Sequence, residues 1–176
     1  MTIISGVLGG IFCLIGATEL LFPHSQLHNS ITRVTFFQKC SANRKIPLKV
    51  KKWCKPISSF AEEWQVDPLL IAAIIQQESG GDPSAISKNG AVGLMQIMPG
   101  DGKSLDFQCI SGPCFSDRPT TKVLLNPEYN ISYGTILISY LLQSRGNIRD
   151  ALQAYGPIEV EYAYADQVLS LMENYK

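Results

Sequence analysis

The sequence predicts an all-α domain preceded by an N-terminal apolar helix. Two helix starts carry the same signal, an N-cap side chain followed by proline, at Asp67-Pro68 and at Asn126-Pro127. No segment alternates apolar and polar residues in the way a half-buried strand does. A composition of 45% hydrophobic and 17% charged residues excludes a disordered chain.

Each predicted helix has markers of its own. Glycines at positions 80 and 146 should end the two helices that begin after the N-caps. Pro56 could open a helix through Phe60, Ala61 and Trp64, and two further helices are predicted later in the chain, the second of them starting after Pro157. The predicted helices are 56–64, 68–79, 127–145, 148–155 and 158–173. The stretch between them, from residue 82 to residue 125, is rich in Gly, Ser and Pro, so we expect a loop-rich middle segment.

The first part of the chain contains an apolar run. Residues 3–22 would span about 30 Å as a helix, just enough to cross a bilayer. We expect residues 1–23 to be a membrane anchor or an export signal, with a buried core helix as the alternative. Residues 24–55 then form a basic linker, and residues 56–176 form the folded domain.

Charge is distributed unevenly along the chain although its formal net charge is zero. Residues 1–55 hold eight basic residues and one acidic residue, a net charge of +7. Residues 56–176 carry the opposite balance, −7. The basic part could lie on anionic lipid or an acidic wall polymer, or it could be a solvated linker. We expect no nucleic-acid partner.

Five cysteines are many for a small cytosolic domain. Four lie outside the apolar run and suit two disulfides in an oxidising compartment, with Cys109–Cys114 and Cys40–Cys54 as the preferred pairs. The first pair brackets Ile-Ser-Gly-Pro, a turn sequence that could bring both thiols together. A four-thiolate zinc site and reduced thiols remain alternatives.

Glu78 is the residue that points most directly to catalysis. It ends an otherwise apolar helix, where the helix dipole places partial negative charge. That charge and desolvation by the neighbouring apolar residues should both raise the pKa of Glu78. An acid still protonated near neutral pH is what general-acid cleavage of a glycosidic bond needs. An exposed glutamate on a polar helix face is the alternative.

The 22 residues that begin at Glu78 resemble the soluble lytic transglycosylase family. The family pattern is Glu-Ser, then Pro, a Ser nine residues after the Glu, and Gly-Ala-x-Gly-Leu-Met-Gln-x-Met-Pro. This chain has Glu78-Ser79, Pro83, Ser87 and GAVGLMQIMP at residues 90–99. Residues 126–134 and 154–157 are similar to two later family segments, although Gly156 replaces the family's usual Asn. The resemblance covers residues 56–173.

The resemblance implies a lysozyme-like helical fold and a peptidoglycan substrate. Members of the family cleave the β-1,4 bond between N-acetylmuramic acid and N-acetylglucosamine. Glu78 maps onto the single catalytic acid, which protonates the glycosidic oxygen and then takes a proton from the muramic C6 hydroxyl. A 1,6-anhydro ring closes without water, and no metal or organic cofactor is needed.

Further site residues carry over one at a time from the resemblance. Ser87 matches a serine near the N-acetyl group, or it is a turn residue. Gln96 and Met98 match positions that line the sugar cleft, and Met98 could equally pack in the core. Tyr155 matches a tyrosine whose hydroxyl approaches the catalytic acid, or it is an ordinary half-buried aromatic.

Two other functions compete with the lytic transglycosylase. A muramidase would hydrolyse the same bond and would need a second carboxylate, for which the candidates are Asp82, Asp101, Asp106 and Asp117. A non-catalytic wall-binding component is the other. The expected partners are glycan strands, a membrane through the N-terminal segment, and a secretion or phage assembly. The expected location is the cell envelope, with a virion as the alternative.

Overall fold

The computed structural model describes residues 35, 36, 38–104 and 118–176, and helices dominate this part of the chain. Within these residues the extended backbone is limited to two isolated bridges, from Val92 to Ile86 and from Val92 to Ile97. The all-α prediction is therefore confirmed. Residues 35, 36 and 38–41 are helical. The helices that follow them are α1 Leu48–Lys51, α2 Cys54–Trp64, α3 Pro68–Ser79, α4 Thr121–Leu124, α5 Pro127–Arg145, α6 Ile148–Tyr155 and α7 Ala163–Tyr175, with 3-10 turns at Gly102–Ser104 and Ile158–Val160.

Helix α3 begins and ends where the sequence predicts. The Asp67 side chain accepts a hydrogen bond from the Leu69 N–H at 2.9 Å, which satisfies one of the unpaired donors of the first turn. Gly80 ends the helix with a φ of 59°, a left-handed conformation that glycine adopts without strain. Every residue from 68 to 75 is buried, so this helix forms the centre of the core.

Two other helices differ from the prediction at their starts. Helix α2 begins at Cys54, two residues before the predicted start at Pro56. A proline fits in the first turn of a helix, because the N–H that it lacks would have no hydrogen-bond partner within the helix. The helix predicted at 158–173 is a 3-10 turn followed by α7. Glu161 separates the two with a φ of 49°, which no right-handed helix can contain.

The remaining helices pack around α3. It contacts α1, α2 and α7, while α5 contacts α2, α4 and α6, and α6 also contacts α7. The end of α3 that carries Glu78 is thereby held against α7 on one side and close to α1 on another. These two neighbours determine the surroundings of the candidate site.

A disulfide joins Cys40 to Cys54, as predicted, with 5.5 Å between their Cα atoms. Both cysteines are buried, and Ile46 and Val50 between them are buried in the same core. The core therefore includes residues that precede position 56, where the folded domain was predicted to begin. The predicted domain boundary itself stays a prediction. Cys109 and Cys114 lie outside the described residues.

The predicted apolar helix within residues 1–23 also lies outside the described residues. In the part of the chain that the structure describes, no helix is both long enough and apolar enough to cross a membrane.

Candidate active site

Glu78 lies half-buried in the last turn of α3, and Tyr164 of α7 donates a hydrogen bond to it. The Tyr164 hydroxyl stands 2.6 Å from Oε1 of Glu78. Tyr164 is 5% exposed, so this contact is made inside the packed interface of α3 and α7. The alternative of a freely exposed Glu78 is therefore wrong.

Burial controls the protonation of Glu78. Loss of hydration raises the pKa of this carboxyl from 4.5 to about 7, against the lowering effect of the Tyr164 hydrogen bond. Burial is the main cause that raises the pKa of Tyr155 and the pKa of Tyr164 well above the usual value for tyrosine, and the charge of Glu78 is the second cause. Near neutral pH both phenols keep their protons, while Glu78 exchanges readily between its acid and its carboxylate form.

Tyr155 and Tyr164 form an aromatic pair beside the carboxyl group. Their rings stack with centroids 6.4 Å apart and planes 16° apart. Gly156 makes this possible, because a Cβ at that position would overlap the Tyr164 ring. The Tyr155 hydroxyl donates to the Met95 carbonyl at 2.9 Å, and the hydrogen bond to Glu78 comes from Tyr164.

Ser79 connects the end of α3 to the following loop. Its hydroxyl lies 2.9 Å from the Leu94 carbonyl and 3.2 Å from the Ile75 carbonyl, and its single hydrogen can serve one of them at a time. The same oxygen accepts from the Gly81 N–H at 3.2 Å. The residue after Glu78 thus fixes the loop of residues 85–97 against α3.

Gln96 and Ser87 hold that loop in shape. Gln96 has a φ of 48°, and its Nε2 donates to the carbonyls of Ala85 and Gly93 at 3.1 and 3.0 Å. Ser87 Oγ accepts from the Ala91 N–H at 3.0 Å, which makes Ser87 a turn residue in this structure. Its own hydroxyl hydrogen has no acceptor among the described residues.

The loop rests on Asn130, a fully buried residue of α5. Its Oδ1 accepts from the Met95 N–H at 2.8 Å, and its Nδ2 donates to the carbonyls of Val92 and Leu124 at 2.8 and 3.0 Å. Gly93 must be glycine for this contact, because a Cβ would overlap the Asn130 amide. Met98, just beyond the loop, is half-buried.

The model of the family described as "Transglycosylase SLT domain" matches residues 55–164. The chain belongs to this family.

Two relatives of this SLT-domain chain are both described as "Endo-type membrane-bound lytic murein transglycosylase A". The protein of Citrobacter koseri is 41% identical over 123 residues, which are 69% of this chain and 59% of the relative. That of Klebsiella pneumoniae is 39% identical over 118 residues, covering 61% of this chain and 57% of the relative. The chain therefore spans less than two thirds of the length of these relatives.

A solved structure supports the same fold. The chain resembles the crystal structure of the 70 kDa soluble lytic transglycosylase of Escherichia coli, with a TM-score of 0.51. The likeness covers 88% of this chain and 31% of the other at 22% identity. It confirms the helical fold that the resemblance implied.

Sequence reasoning missed Tyr164, Ser79 and Asn130 as parts of this SLT-domain site. The last two stand inside the segments that carry the resemblance, Ser79 directly after Glu78 and Asn130 four residues after an N-cap. Their positions in those segments were the available signal. Tyr164 is 86 residues from Glu78, and no local pattern connects the two.

The carboxylates proposed for a hydrolase have structural partners of their own. Asp82 accepts hydrogen bonds from the Ser84 N–H and hydroxyl, which hold the pKa of Asp82 below its usual value. Asp101 accepts in the same way from Thr121. Asp106 and Asp117 lie outside the described residues. Among the residues that the structure describes, no group of three His, Cys, Asp or Glu side chains could hold a metal ion.

Proposed function

We propose that this protein is a lytic transglycosylase that cleaves the β-1,4 bond between N-acetylmuramic acid and N-acetylglucosamine in peptidoglycan. The observation that carries the proposal is Glu78, an acid at the interface of α3 and α7 that accepts a hydrogen bond from Tyr164 and whose pKa is raised by burial to about 7. Membership of the SLT family and the names of the two relatives support the same activity.

Glu78 would act twice in one turnover. In its acid form it donates a proton to the glycosidic oxygen, and the bond from that oxygen to C1 of the muramic ring breaks. The carboxylate that remains then accepts the proton of the C6 hydroxyl, and O6 bonds to C1. The proton that Glu78 lost is regained, and the product is a 1,6-anhydro sugar formed without water. The N-acetyl group of the substrate is expected to stabilise the positive charge at C1.

A pKa near 7 suits both roles of Glu78. A group that must donate and then accept a proton works best when its pKa lies near the working pH. The Tyr164 hydrogen bond stabilises the carboxylate that exists between the two steps. One carboxyl group is then sufficient, unlike the two carboxylates of most glycosidases.

Three residues are proposed to contact the glycan beside Glu78. Ser87 can donate its unused hydroxyl hydrogen to the N-acetyl group. Gln96 uses its amide hydrogens within the loop, which leaves Oε1 as the atom that can accept from a sugar hydroxyl. Met98 supplies an apolar contact. Tyr155 is proposed to act through the position of Tyr164.

We further propose that the protein works in the cell envelope, attached to a membrane through residues 1–23. The relatives' description as membrane-bound supports this location. The virion alternative has no comparable support, and association with a secretion or phage assembly stays a prediction.

Mass spectrometry of the products released from purified peptidoglycan tests the proposed reaction. We expect 1,6-anhydro muropeptides from the wild-type chain and none from Glu78→Gln. Reducing ends in their place would assign the muramidase reaction. Unchanged release by Glu78→Gln would show that Glu78 has no catalytic role.

A further inference from the structure

Four exposed lysines and one exposed leucine lie close together in the sequence in and around α1. We call these five residues the basic face: Lys45, Leu48, Lys49, Lys52 and Lys55. Leu48 is 82% exposed, and the four lysines are exposed as well. Val50 of the same short helix is fully buried, so α1 turns Leu48 and Lys49 toward solvent.

One acidic residue lies near the basic face. After the hydrogen bonds from Ser84, the charges of Lys49 and Lys52 also lower the pKa of Asp82, so this single carboxylate balances only part of the charge of the four lysines. None of the four lysines forms an ion pair within the described residues, whereas Lys39 nearby pairs with Asp67 at 2.6 Å. No acidic residue occurs in the sequence from position 20 to position 61. The face therefore presents a local positive field to whatever approaches it.

The basic face is joined firmly to the turn that follows Glu78. Gly81 packs so closely on the Lys49 backbone that a Cβ would overlap it. The Trp53 indole N–H donates to the Gly81 carbonyl at 3.1 Å, and Lys52 Nζ lies 5.0 Å from the centre of the Trp53 ring. A surface bound to this face would thus stand in a fixed relation to Glu78.

We propose that the basic face docks the domain onto an anionic phospholipid bilayer. Lysines at a membrane surface are attracted by anionic headgroups, and an exposed leucine among them can enter the boundary between headgroups and acyl chains. An acidic wall polymer would attract the lysines equally but would give no reason for an exposed apolar side chain among them.

The N-terminal sequence supports the same occupant. Residues 3–22 are the predicted anchor, and only residues 23–34 separate them from the start of the described chain. Twelve residues reach at most about 43 Å when fully extended, so an anchored chain keeps the basic face close to its own membrane.

Docking would select which glycan strands Glu78 can reach. Glu78 precedes Gly81 by three residues, about 10 Å of chain, and α1 adds about 10 Å of helix thickness, which places Glu78 within roughly 20 Å of the bilayer. This consequence rests on the proposed function, whereas the docking itself does not. Strands next to the membrane would be cleaved in preference to outer ones.

The test uses the full chain reconstituted in vesicles whose lipids carry brominated acyl chains. A Leu48→Trp variant reports contact with the acyl boundary through bromine quenching of its fluorescence, after subtraction of the parent chain's signal. The vesicles contain phosphatidylcholine alone or an equal part of phosphatidylglycerol. Leu125→Trp is the matched control, since Leu125 is a partly exposed leucine outside the basic face.

We expect strong quenching of Leu48→Trp in the anionic vesicles and little in the neutral ones. When Lys45→Gln, Lys49→Gln and Lys52→Gln are added to the Leu48→Trp variant, the equilibrium constant for docking should fall roughly a hundred-fold, because each lost lysine should lower it roughly five-fold. Glu78→Gln should leave quenching unchanged, which separates this result from the fate of the proposed reaction.

Four results would overturn the proposal. Leu48→Trp could be quenched equally in both lipids, the lysine substitutions could leave its quenching intact, or Leu125→Trp could be quenched as strongly. A fourth is the absence of quenching together with lysine-dependent binding to purified peptidoglycan, which would assign the face to the wall polymer.

Discussion

Glu78 and Asp150 each accept a hydrogen bond from a tyrosine, yet their pKa values move in opposite directions. Tyr164 donates to Glu78 at 2.6 Å, and Tyr162, two residues earlier, donates to Asp150 at 2.8 Å. Burial raises the pKa of Glu78 to about 7. At the surface, hydrogen bonds from Asn147 and then Tyr162 hold the pKa of Asp150 below its usual value.

The difference shows that burial, more than the tyrosine partner, decides which carboxylate can act as an acid. Asp150 loses little hydration, so the hydrogen bonds that favour its charge outweigh the small opposing effect of burial. At Glu78 the packing of α3 against α7 removes much of the hydration, and the free-energy cost of the poorly hydrated charge exceeds the stabilisation from one hydroxyl hydrogen bond. Similar contacts therefore give a structural carboxylate in one place and a candidate catalyst in the other.

Replacing each carboxylate by its amide should give the largest contrast. Glu78→Gln removes the transferable proton, so we expect the rate of product release to fall by about 10²–10⁴-fold. Asp150→Asn is the matched control and should leave the rate within a factor of about two, because general acid catalysis is not removed. The release of dye from labelled peptidoglycan measures the rate of each variant. A similar loss of rate in both variants would show that Glu78 and Asp150 do not differ in their role in catalysis.

The raised pKa of Glu78 should also appear in the stability of the protein. Because the folded pKa lies above the unfolded value of 4.5, the folded state binds more protons between pH 4.5 and 7, and its stability falls as pH rises through that window. The loss should be about 3 kcal/mol in the free energy of unfolding.

Urea unfolding of wild type and Glu78→Gln across this pH range measures that loss. The glutamine variant cannot ionise, so it should lack this dependence and be the more stable protein above pH 7. Equal pH dependence of the two proteins would mean that Glu78 is hydrated like a surface acid.

Gly156→Ala should disturb the buried pair without touching either carboxylate. The φ of −77° at Gly156 suits alanine, so the backbone is not strained, but the new Cβ would overlap the Tyr164 ring. Overpacking of this kind costs about 1–3 kcal/mol and should move the hydroxyl away from Glu78. We expect lower stability and lower activity together, whereas loss of neither would show that the contact tolerates an added methyl group.

The sequence was sufficient for features set by neighbouring residues. The ends of α3 follow from Asp67, Pro68 and Gly80, and the capping geometry at those positions is local. Glu78 could be singled out because its helix is apolar. The prediction for Tyr155 was less complete, because the sequence carries no sign that a second tyrosine, Tyr164 of α7, would pair with it and donate the hydrogen bond to Glu78.

The support beneath the loop was equally hidden from the sequence. Asn130 is an ordinary residue of the first turn of α5 in sequence terms, yet it is fully buried and binds three backbone groups. Burial of an amide depends on which distant backbone groups face it after folding. The interruption at Glu161 was missed for a related reason, since nothing in the local sequence required a positive φ there.

Removing the two tyrosine hydroxyls should give the smallest effects. Tyr164→Phe deletes the bond that lowers the pKa of Glu78, so the alkaline limit of the activity profile should move upward by roughly one pH unit. Tyr162→Phe deletes the bond to Asp150 and should leave the profile unchanged. Rates measured across pH 5–9 test the pair, and a shift to lower pH in Tyr164→Phe would contradict the role of this bond.

Direct titration of the Glu78 carboxyl group tests the central claim most closely. Carbon-13 NMR of the labelled side chains can follow Glu78, assigned by its absence from Glu78→Gln, together with Asp150 in the same sample. The account predicts that Glu78 titrates near pH 7 while Asp150 titrates below its usual range. A midpoint for Glu78 near 4.5 would contradict it, because Glu78 would then be a carboxylate at neutral pH with no proton to donate.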